Sequence, residues 1–369
     1  MQVLEAKGLT VIQNGQPILH NLSFSINRGE QWAITGASGS GKTTLLKVLA
    51  GTQNFSGSLL INKTDFSAGK KIAFVAQQHH FKNLSNTSNF YYQQRFNSHD
   101  ASDAITVEED LRRVFAKSHA TEDELLQAAE LFDIVKLYNE PLIQLSNGEN
   151  KRLQIVKALL LQPAFLLLDN PFIGLDAHSR QTLEEVLQQI AQKGIHIIMA
   201  TSASHLPFFV THVLNLAGNG AYSINAGTPM ETHYENLAIK QQLDCREDLL
   251  QALTANKVNS TFDYAVRMKN VNVVYDKKIL DNINWEVRNG ERWSLSGPNG
   301  SGKSTLLSLV NADNPQAYAN DIYLFDRKRG TGESIWDIKK KTGFVSPELH
   351  LYFDRGSNCT DVVASGLFD

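Results

Sequence analysis

The sequence predicts an α/β fold with a parallel sheet core, built twice within the chain. Two short apolar runs, residues 165–168 and 195–200, flank a helical stretch, an alternation typical of parallel sheets that bind ligands at the carboxyl ends of their strands. A glycine-rich segment, residues 36–44, lies between an apolar run and a helical one. Residues 21–41 return in similar form as residues 282–302, which indicates a duplicated domain.

Composition limits the possible classes of protein. The 369 residues, 42% of them hydrophobic, are enough for about two to three domains with ordinary cores. A formal charge of -3 gives no overall attraction to nucleic acid or to an anionic membrane. Cys245 and Cys359 are the two cysteines, too few for a disulfide framework or a zinc site. No apolar run reaches the roughly 18 residues of a spanning helix, so we expect a cytoplasmic chain.

The glycine-rich segment fits the phosphate-loop pattern G-x-x-x-x-G-K-[ST]. Its glycines let consecutive N–H groups turn inward around a di- or triphosphate. Lys42 then adds a positive charge, and Thr43 adds a hydroxyl for Mg²⁺. An apolar strand at 31–35 and a helix from residue 44 supply the structural context that the motif requires. The predicted nucleotide-binding residues here are Gly36, Ser38, Gly39, Ser40, Gly41, Lys42, Thr43 and Thr44.

The repeat contains a second complete phosphate loop at residues 297–305, with Lys303 and Ser304 in the lysine and metal-hydroxyl positions. Its predicted nucleotide-binding residues are Gly297, Asn299, Gly300, Ser301, Gly302, Lys303, Ser304 and Thr305. Two alternating apolar runs precede each loop and predict antiparallel strands that flank the parallel core. These runs are residues 4–12 and 22–26 in the first copy, and 266–274 and 283–287 in the second.

The part of the first copy after its loop carries further elements of a binding site. Short strands at 57–61 and 71–76 lead to a predicted helical subdomain at 106–145. A Ser/Gly turn at 145–149 then starts a helix at 150–161, and such a helix start offers unpaired N–H groups to an anion. Asp169 ends a buried strand, the place for a carboxylate that holds hydrated Mg²⁺. A helix at 179–193 follows.

These patterns predict a first domain at 1–226 and a linker at 227–260, where no strand pattern occurs. The second domain, 261–369, is expected to be the amino-terminal half of a second copy, equivalent to the part of the first that precedes the helical subdomain.

The phosphate loop, the turn at 145–149 and the strand at 165–169, in that order, resemble the ATP-binding cassette (ABC) ATPases. The resemblance implies that cassettes pair head to tail, within one chain or in a homodimer. They bind ATP and Mg²⁺ between the phosphate loop of one cassette and the signature turn of the other. Ser146 and Gly148 match the signature. Gln77 matches the loop glutamine that senses the γ-phosphate and Mg²⁺.

Two further positions correspond to family contacts. Asp176 matches the loop that contacts the opposite cassette, and Tyr275 matches the aromatic ring that stacks on adenine. The counterpart of Tyr275 in the first copy is about Gln13, which offers no ring.

The first copy departs from the family at two catalytic positions. Asn170 stands where the family has a glutamate, and an amide cannot take a proton from the attacking water, a step worth about 10² to 10⁴ in rate. Ser202 replaces the switch histidine, and His205 is interpreted as a surface residue. The first site is therefore expected to bind Mg-ATP and to hydrolyse it slowly or not at all.

The second copy keeps its phosphate loop and Tyr275 and would use the Ser146 signature, so it is expected to be the working site. Pro347 stands at its glutamine-loop position, a further departure. Its metal aspartate and catalytic glutamate would come from residues after Asp369.

Within the family, the chain resembles the soluble tandem cassettes of the ModF/PhrA type, which are labelled as molybdate-transport ATP-binding or photorepair proteins. The resemblance rests on the double cassette, on Asn-Pro-Phe-x-Gly-Leu-Asp at 170–176 and on Val-Ser-Pro-Glu-Leu-His at 345–350. It implies an ATPase that energises a membrane permease, attached through that partner to the inner face of the membrane. The alternatives are an ATPase acting on the ribosome or in DNA repair or regulation. The sequence offers no basic aromatic groove, so direct nucleic-acid binding is not predicted.

Overall fold

The computed structural model describes residues 1–61, 72–77, 105–142, 145–204, 206–218, 220–226, 262–275, 278–297, 300–311, 314–345 and 358–365. The chain divides into two compact units, Met1–Leu249 and Leu250–Asp369. The predicted linker at 227–260 and three residues singled out above, Asn299, His205 and Pro347, lie outside the described residues.

The first unit contains nine described strands and five described α-helices. In chain order they are β1 (Gln2–Gln13), β2 (Gln16–Asn27), β3 (Trp32–Gly36), α1 (Lys42–Leu49), β4 (Ser56–Ile61), β5 (Ile72–Val75), α2 (Val107–Phe115), α3 (Glu122–Leu131), α4 (Asn147–Leu159), β6 (Phe165–Asp169), α5 (Ala177–Gln192), β7 (His196–Ala200), β8 (His212–Leu216) and β9 (Tyr222–Ala226).

The strands of the first unit form two sheets. A three-stranded antiparallel sheet has the order β2-β1-β4, and a six-stranded sheet has the order β5-β6-β7-β3-β8-β9. All pairs in the larger sheet are parallel except β8 with β9. The loop from β3 to α1 therefore starts at the carboxyl edge of the central strands, next to the ends of β7 and β8.

Alternation along the buried strands divides the interior into two cores. In β6, Leu166 and Leu168 pack with α4, α5 and the helical subdomain. Phe165 and Leu167 point to the opposite face and pack with α1 and the antiparallel sheet. Because successive strand residues face opposite sides, a run with no polar member is what a strand covered on both faces requires.

Capping residues set the helix boundaries more closely than apolar periodicity does. Ser146 caps α4 and Asp176 caps α5 by accepting hydrogen bonds from backbone N–H groups of the first turn. The two helices consequently start at Asn147 and Ala177, earlier than the predicted residues 150 and 179. The helical subdomain, predicted at 106–145, contains α2 and α3, each opened by a capping box on a threonine.

The second unit repeats the first elements of the first unit. Its described elements are β10 (Tyr264–Val274), β11 (Lys278–Arg288), α6 (Lys303–Val310), β12 (Asp321–Leu324), β13 (Arg327–Lys328), α7 (Ile335–Lys339) and α8 (Cys359–Ser365). Four of them form an antiparallel sheet in the order β11-β10-β12-β13, covered on one side by α6 and α7 through a core of twelve buried residues.

The two units differ in structure at the segment before the phosphate loop, although its sequence is repeated. Residues 291–297 form no strand, although the equivalent segment of the first unit is β3. In the first unit β3 is paired on both sides, by β7 and β8, whereas the described residues of the second unit include no strand that pairs with 291–297. Trp293 and Leu295 are accordingly 59% and 42% exposed. No helix in the described ranges is long and apolar enough to cross a membrane.

Candidate nucleotide-binding site

Two glycines fix the backbone of the first loop against the neighbouring strands. Gly36 has φ 137°, and a Cβ there would lie 2.2 Å from the carbonyl oxygen of Leu216, at the end of β8. Gly41 has φ 99°, and a Cβ there would lie 2.8 Å from the Leu19 side chain of β2. The spacing of glycines in the motif therefore has a packing reason at both ends of the loop.

The start of α1 leaves backbone N–H donors without an acceptor in the helix. The first intrahelical hydrogen bond of α1 runs from Leu45 N to Gly41 O at 2.8 Å, so the N–H groups of the three preceding residues have no acceptor within the helix. The first turn carries no acidic residue and no side-chain cap. The buried Ser40 hydroxyl has no hydrogen-bond partner among the described residues. Unpaired donors at a helix start fit a phosphate group.

Lys42 lies over this loop. Its ammonium group donates to the carbonyl oxygens of Gly36 at 2.8 Å and Ala37 at 2.7 Å. Partial burial lowers the pKa of Lys42, and the nearby charge of Asp169 acts in the opposite direction. The two carbonyls hold the ammonium group where phosphate oxygens would bind it.

The predicted metal ligands lie together at the start of α1 and the end of β6. The Thr43 hydroxyl donates to Asp169 Oδ2 at 2.9 Å, and Asp169 is 3% exposed. Burial raises the pKa of Asp169, whereas the Thr43 hydrogen bond and the charges of three lysines lower it. Among the described residues, no group of three or more acidic, histidine or cysteine side chains is arranged to hold a metal ion. A hydroxyl and one carboxylate nevertheless fit Mg²⁺, which keeps several waters and binds phosphate oxygens.

Gln77 and Asn170 complete this group. The Asn170 side-chain amide donates to Gln77 Oε1 at 3.0 Å and to Asp169 Oδ1 at 3.2 Å. Asn170 has φ 45°, and its backbone N–H donates to Ala200 O at 3.0 Å, which holds the residue at the edge of the sheet. The Asn170 amide therefore lies beside the predicted metal ligands and acts there as a hydrogen-bond donor.

Lys151, which the sequence analysis did not select, also belongs to this site. It lies in the second turn of α4, is 8% exposed, and donates to the carbonyl oxygens of Ala76 at 2.8 Å and Gln77 at 3.2 Å. Burial lowers the pKa of Lys151 to about 8, and the charge of Asp169 opposes that change. The one sequence signal for Lys151 is that it stands among the apolar residues of a helix. A lysine in such a pattern is usually interpreted as a surface residue.

The signature turn is built as a helix cap. Ser146 Oγ accepts from Glu149 N at 3.3 Å, while Glu149 Oε2 accepts from Ser146 N at 2.8 Å. Because a hydroxyl both accepts and donates, this cap leaves the O–H of Ser146 available to an anion. Gly148 is buried in the first turn of α4.

Two other residues named from the sequence, Ser202 and Asp176, contact side-chain or backbone groups close by in the chain. Ser202 follows β7, and its hydroxyl is 2.8 Å from that of Ser204. No hydrogen bond among the described residues joins Ser202 to Gln77, Asp169 or Asn170. Asp176 accepts from Ser179 N at 2.8 Å and so caps α5.

The second loop repeats the geometry of the first. Lys303 donates to Gly297 O at 2.8 Å, and the first hydrogen bond of α6 runs from Leu306 N to Gly302 O at 2.8 Å. Gly297, Gly300 and Gly302 all have positive φ. Ser304 and Thr305 lie in the uncapped first turn of α6, as Thr43 and Thr44 do in α1.

Tyr275 is placed by side chains that follow α6. Its hydroxyl accepts from the buried Asn314 side-chain amide at 3.0 Å, and its ring is 36% exposed. Burial raises the pKa of Tyr275, and the Asn314 hydrogen bond lowers it. Val11 in β1 and Val273 in β10 pair with equivalent leucines of the neighbouring strands, so the register sets Gln13 at the position of Tyr275.

The chain is similar to known proteins along most of its length. A family model described as ABC transporter matches residues 19–173 and 280–357. The chain is similar to the ABC transporter ATP-binding protein ModF of Escherichia coli K12, with 35% identity over 94% of this chain and 70% of that protein. An uncharacterized ABC transporter ATP-binding protein of Schizosaccharomyces pombe is 33% identical over 95% of this chain and 72% of its own length.

A solved structure is similar in fold. It is cbiO1 from Clostridium perfringens, described as part of the ABC transporter complex cbiONQ, with a TM-score of 0.50, 24% identity, and coverage of 68% of this chain and 99% of that one. The predicted fold class, a duplicated cassette with a mixed sheet core and an antiparallel β subdomain, is confirmed.

Proposed function

Because the chain belongs to the ABC transporter family of ATPases, within its ModF-type branch, we propose that its two phosphate loops bind Mg-ATP and that ATP binding and hydrolysis energise or regulate a transport system. The observation that carries this proposal is the array of hydrogen bonds from Thr43 through Asp169 and Asn170 to Gln77, next to the Lys42 loop. Residues from three separate stretches of sequence meet there: the phosphate loop, Gln77, and the end of β6.

The site residues of the first unit have the following proposed roles. The N–H groups of the loop and Lys42 bind the phosphates. Thr43, Asp169 and Gln77 would hold Mg²⁺ directly or through water, and the bound ion would offset the negative charge of the phosphate oxygens. Asn170 and Ser202 cannot act as a general base and a switch histidine, which makes hydrolysis at this site slow.

The second unit is proposed to bind ATP through Lys303, Ser304 and the other loop residues, with the ring of Tyr275 against adenine. As in the family, each ATP would be completed by the signature of a paired cassette. Ser146 and Gly148 would supply this signature for an ATP bound to the phosphate loop at 297–305.

The direct test compares Lys42→Ala with Lys303→Ala in ATP binding by calorimetry. A hydrogen bond to a charged group contributes about 1.5 to 3 kcal/mol, so each substitution should weaken binding at its own loop by about 10- to 100-fold. Steady-state hydrolysis should fall much further in Lys303→Ala than in Lys42→Ala. Equal loss of hydrolysis in the two variants would contradict the proposed asymmetry of the sites.

The adenine contact of Tyr275 gives a separate prediction, to be measured in the Lys42→Ala background. An aromatic stack is worth about 0.5 to 1.5 kcal/mol, so Tyr275→Ala should weaken ATP binding by about 2- to 10-fold. Tyr275→Phe keeps the ring and should bind nearly as well as the parent. The matched control, Gln13→Ala in the Lys303→Ala background, should leave ATP affinity unchanged. Similar affinities of Tyr275→Ala and Tyr275→Phe would exclude stacking.

A membrane permease is the proposed partner, which would attach a cytoplasmic protein to the inner face of the membrane. The support is the similarity to ModF and to the Schizosaccharomyces pombe protein, both of which are named as ABC transporter ATP-binding proteins. Affinity purification from detergent-treated cells under Mg-ATP tests this proposal. Recovery of a permease supports it, whereas recovery of ribosomes or duplex DNA would select the alternative ATPase functions instead.

A further inference from the structure

The ammonium group of Lys151 joins two elements that are far apart in the sequence. Lys151 lies five residues after the Ser146 cap of α4, and its Nζ donates to two consecutive carbonyls, those of Ala76 and Gln77. These carbonyls belong to the segment that leaves β5 immediately after Val75. The side chain therefore connects the helix that follows the signature to the backbone of the glutamine loop.

The surroundings of Lys151 make this contact more than incidental. A buried ammonium group is costly unless it is hydrogen-bonded, and Lys151 is 8% exposed. The lysine stabilises the fold only when both carbonyls remain in place, since removing an acceptor would leave a buried charge unsatisfied.

The position of β5 explains why its carboxyl end benefits from such a contact. β5 is the edge strand of the six-stranded sheet and pairs on one side with β6, up to Val75 opposite Leu168. After Val75 the ladder ends. Gln77 nevertheless presents its side-chain oxygen to the Asn170 amide at 3.0 Å, next to Asp169. The backbone of Gln77 is held from the α4 side by Lys151.

We propose that Lys151 is a positioning residue that ties the signature helix to the glutamine loop and thereby holds the Gln77 side chain at the metal end of the first site. The identity of the ligand, Mg-ATP, rests on the proposed function above. The contact itself does not depend on a ligand. Because Ser146 begins the same helix, Lys151 also gives the signature turn a direct connection to the loop that meets the metal.

The test compares Lys151→Met with Lys157→Met, both in the Lys303→Ala background so that the first loop alone reports. Lys157 is the matched control because it lies on the same helix and its Nζ binds Asp110 Oδ2 at 2.8 Å, away from the metal group. Calorimetry with ATP is performed with Mg²⁺ and in EDTA. Lys151→Met should weaken the affinity of the ATP complex for Mg²⁺ by about 10- to 100-fold, as loss of a residue that orients metal ligands does.

A purely structural role predicts a different result, namely equal losses of ATP affinity with and without Mg²⁺. The positioning role predicts that ATP affinity in EDTA stays at the level of Lys157→Met, because the phosphate loop is intact. Lys151→Arg, which keeps the charge and the donors, should restore most of the Mg²⁺ affinity.

A second readout needs no nucleotide. Hydrogen exchange of peptides covering residues 72–77 and 146–150 should be faster in Lys151→Met than in Lys157→Met. Should Lys151→Met fail to fold, Lys151→Gln, which removes the charge and shortens the side chain, is measured in the same way. Exchange and Mg²⁺ affinity equal to those of Lys157→Met would overturn the proposal. Absence of ATP binding in the wild-type chain would instead refute the proposed function, and the exchange data would still decide the role of Lys151.

Discussion

Replacing Asn170 by glutamate is expected to raise the rate of ATP hydrolysis at the first site by about 10²- to 10⁴-fold, the usual value of general-base catalysis. The residue already lies at the metal group, since its side chain contacts both Gln77 and Asp169. Its amide donates to those two oxygens and offers no basic lone pair. A carboxylate at the same position would accept a proton from the attacking water instead.

The measurement is single-turnover hydrolysis of radiolabelled ATP by Asn170→Glu in the Lys303→Ala background. Asn170→Gln is the matched control, because it has the length of glutamate and the chemistry of asparagine. A second carboxylate beside Asp169 raises the pKa of one of the pair, so the gain is expected to be larger with Mg²⁺ bound, when the metal charge offsets the repulsion. Equal rates for the glutamate and glutamine variants would show that the missing base is not what limits this site.

The residues of the candidate site that sequence alone identified are those with a fixed place in a local motif. The loop glycines, Lys42 and Thr43 follow from one pattern of eight residues, and Asp169 follows from four apolar residues that end in a carboxylate. Lys151 has no such motif. Its function depends on two backbone carbonyls 74 and 75 residues away in the sequence, and spacing within a helix does not reveal tertiary acceptors.

The fold shows the same division between local and long-range information. The strands with continuous apolar runs were predicted to within two residues, because burial on both faces leaves a clear pattern. β8 and β9 were not predicted at all. β9 is exposed along its whole length, and β8 contains two partly exposed polar residues among three buried ones, so neither carries the continuous apolar pattern of a buried strand. Conversely, residues 291–297 have the sequence of a strand, but a strand needs hydrogen-bonding neighbours, which the described part of the second unit does not supply.

Gly36→Ala is expected to destabilise the first unit by about 2 to 5 kcal/mol and to abolish ATP binding at its loop. The added Cβ would lie 2.2 Å from the carbonyl oxygen of Leu216 and 2.7 Å from Ser40 Oγ. Backbone atoms of a central strand cannot move away as the end of a flexible side chain can. The φ of 137° adds strain for any residue with a side chain. The clash and the strain can both be relieved only if the loop moves away from β8. The phosphate-binding N–H groups would then move with the loop.

Gly39→Ala separates the effect of close packing from that of backbone strain. Gly39 also has a positive φ, 79°, but a Cβ there would meet no atom within 4 Å. Its substitution should therefore cost only the strain, about 1 to 2 kcal/mol. Urea unfolding followed by tryptophan fluorescence gives both values when Trp285, Trp293 and Trp336 are replaced by phenylalanine, because Trp32 is then the one tryptophan, 3% exposed in the same strand as Gly36. If the two variants unfolded at the same urea concentration, the contact between the loop and Leu216 would be dispensable, and the tight packing of the phosphate loop against β8 would not be what fixes its shape.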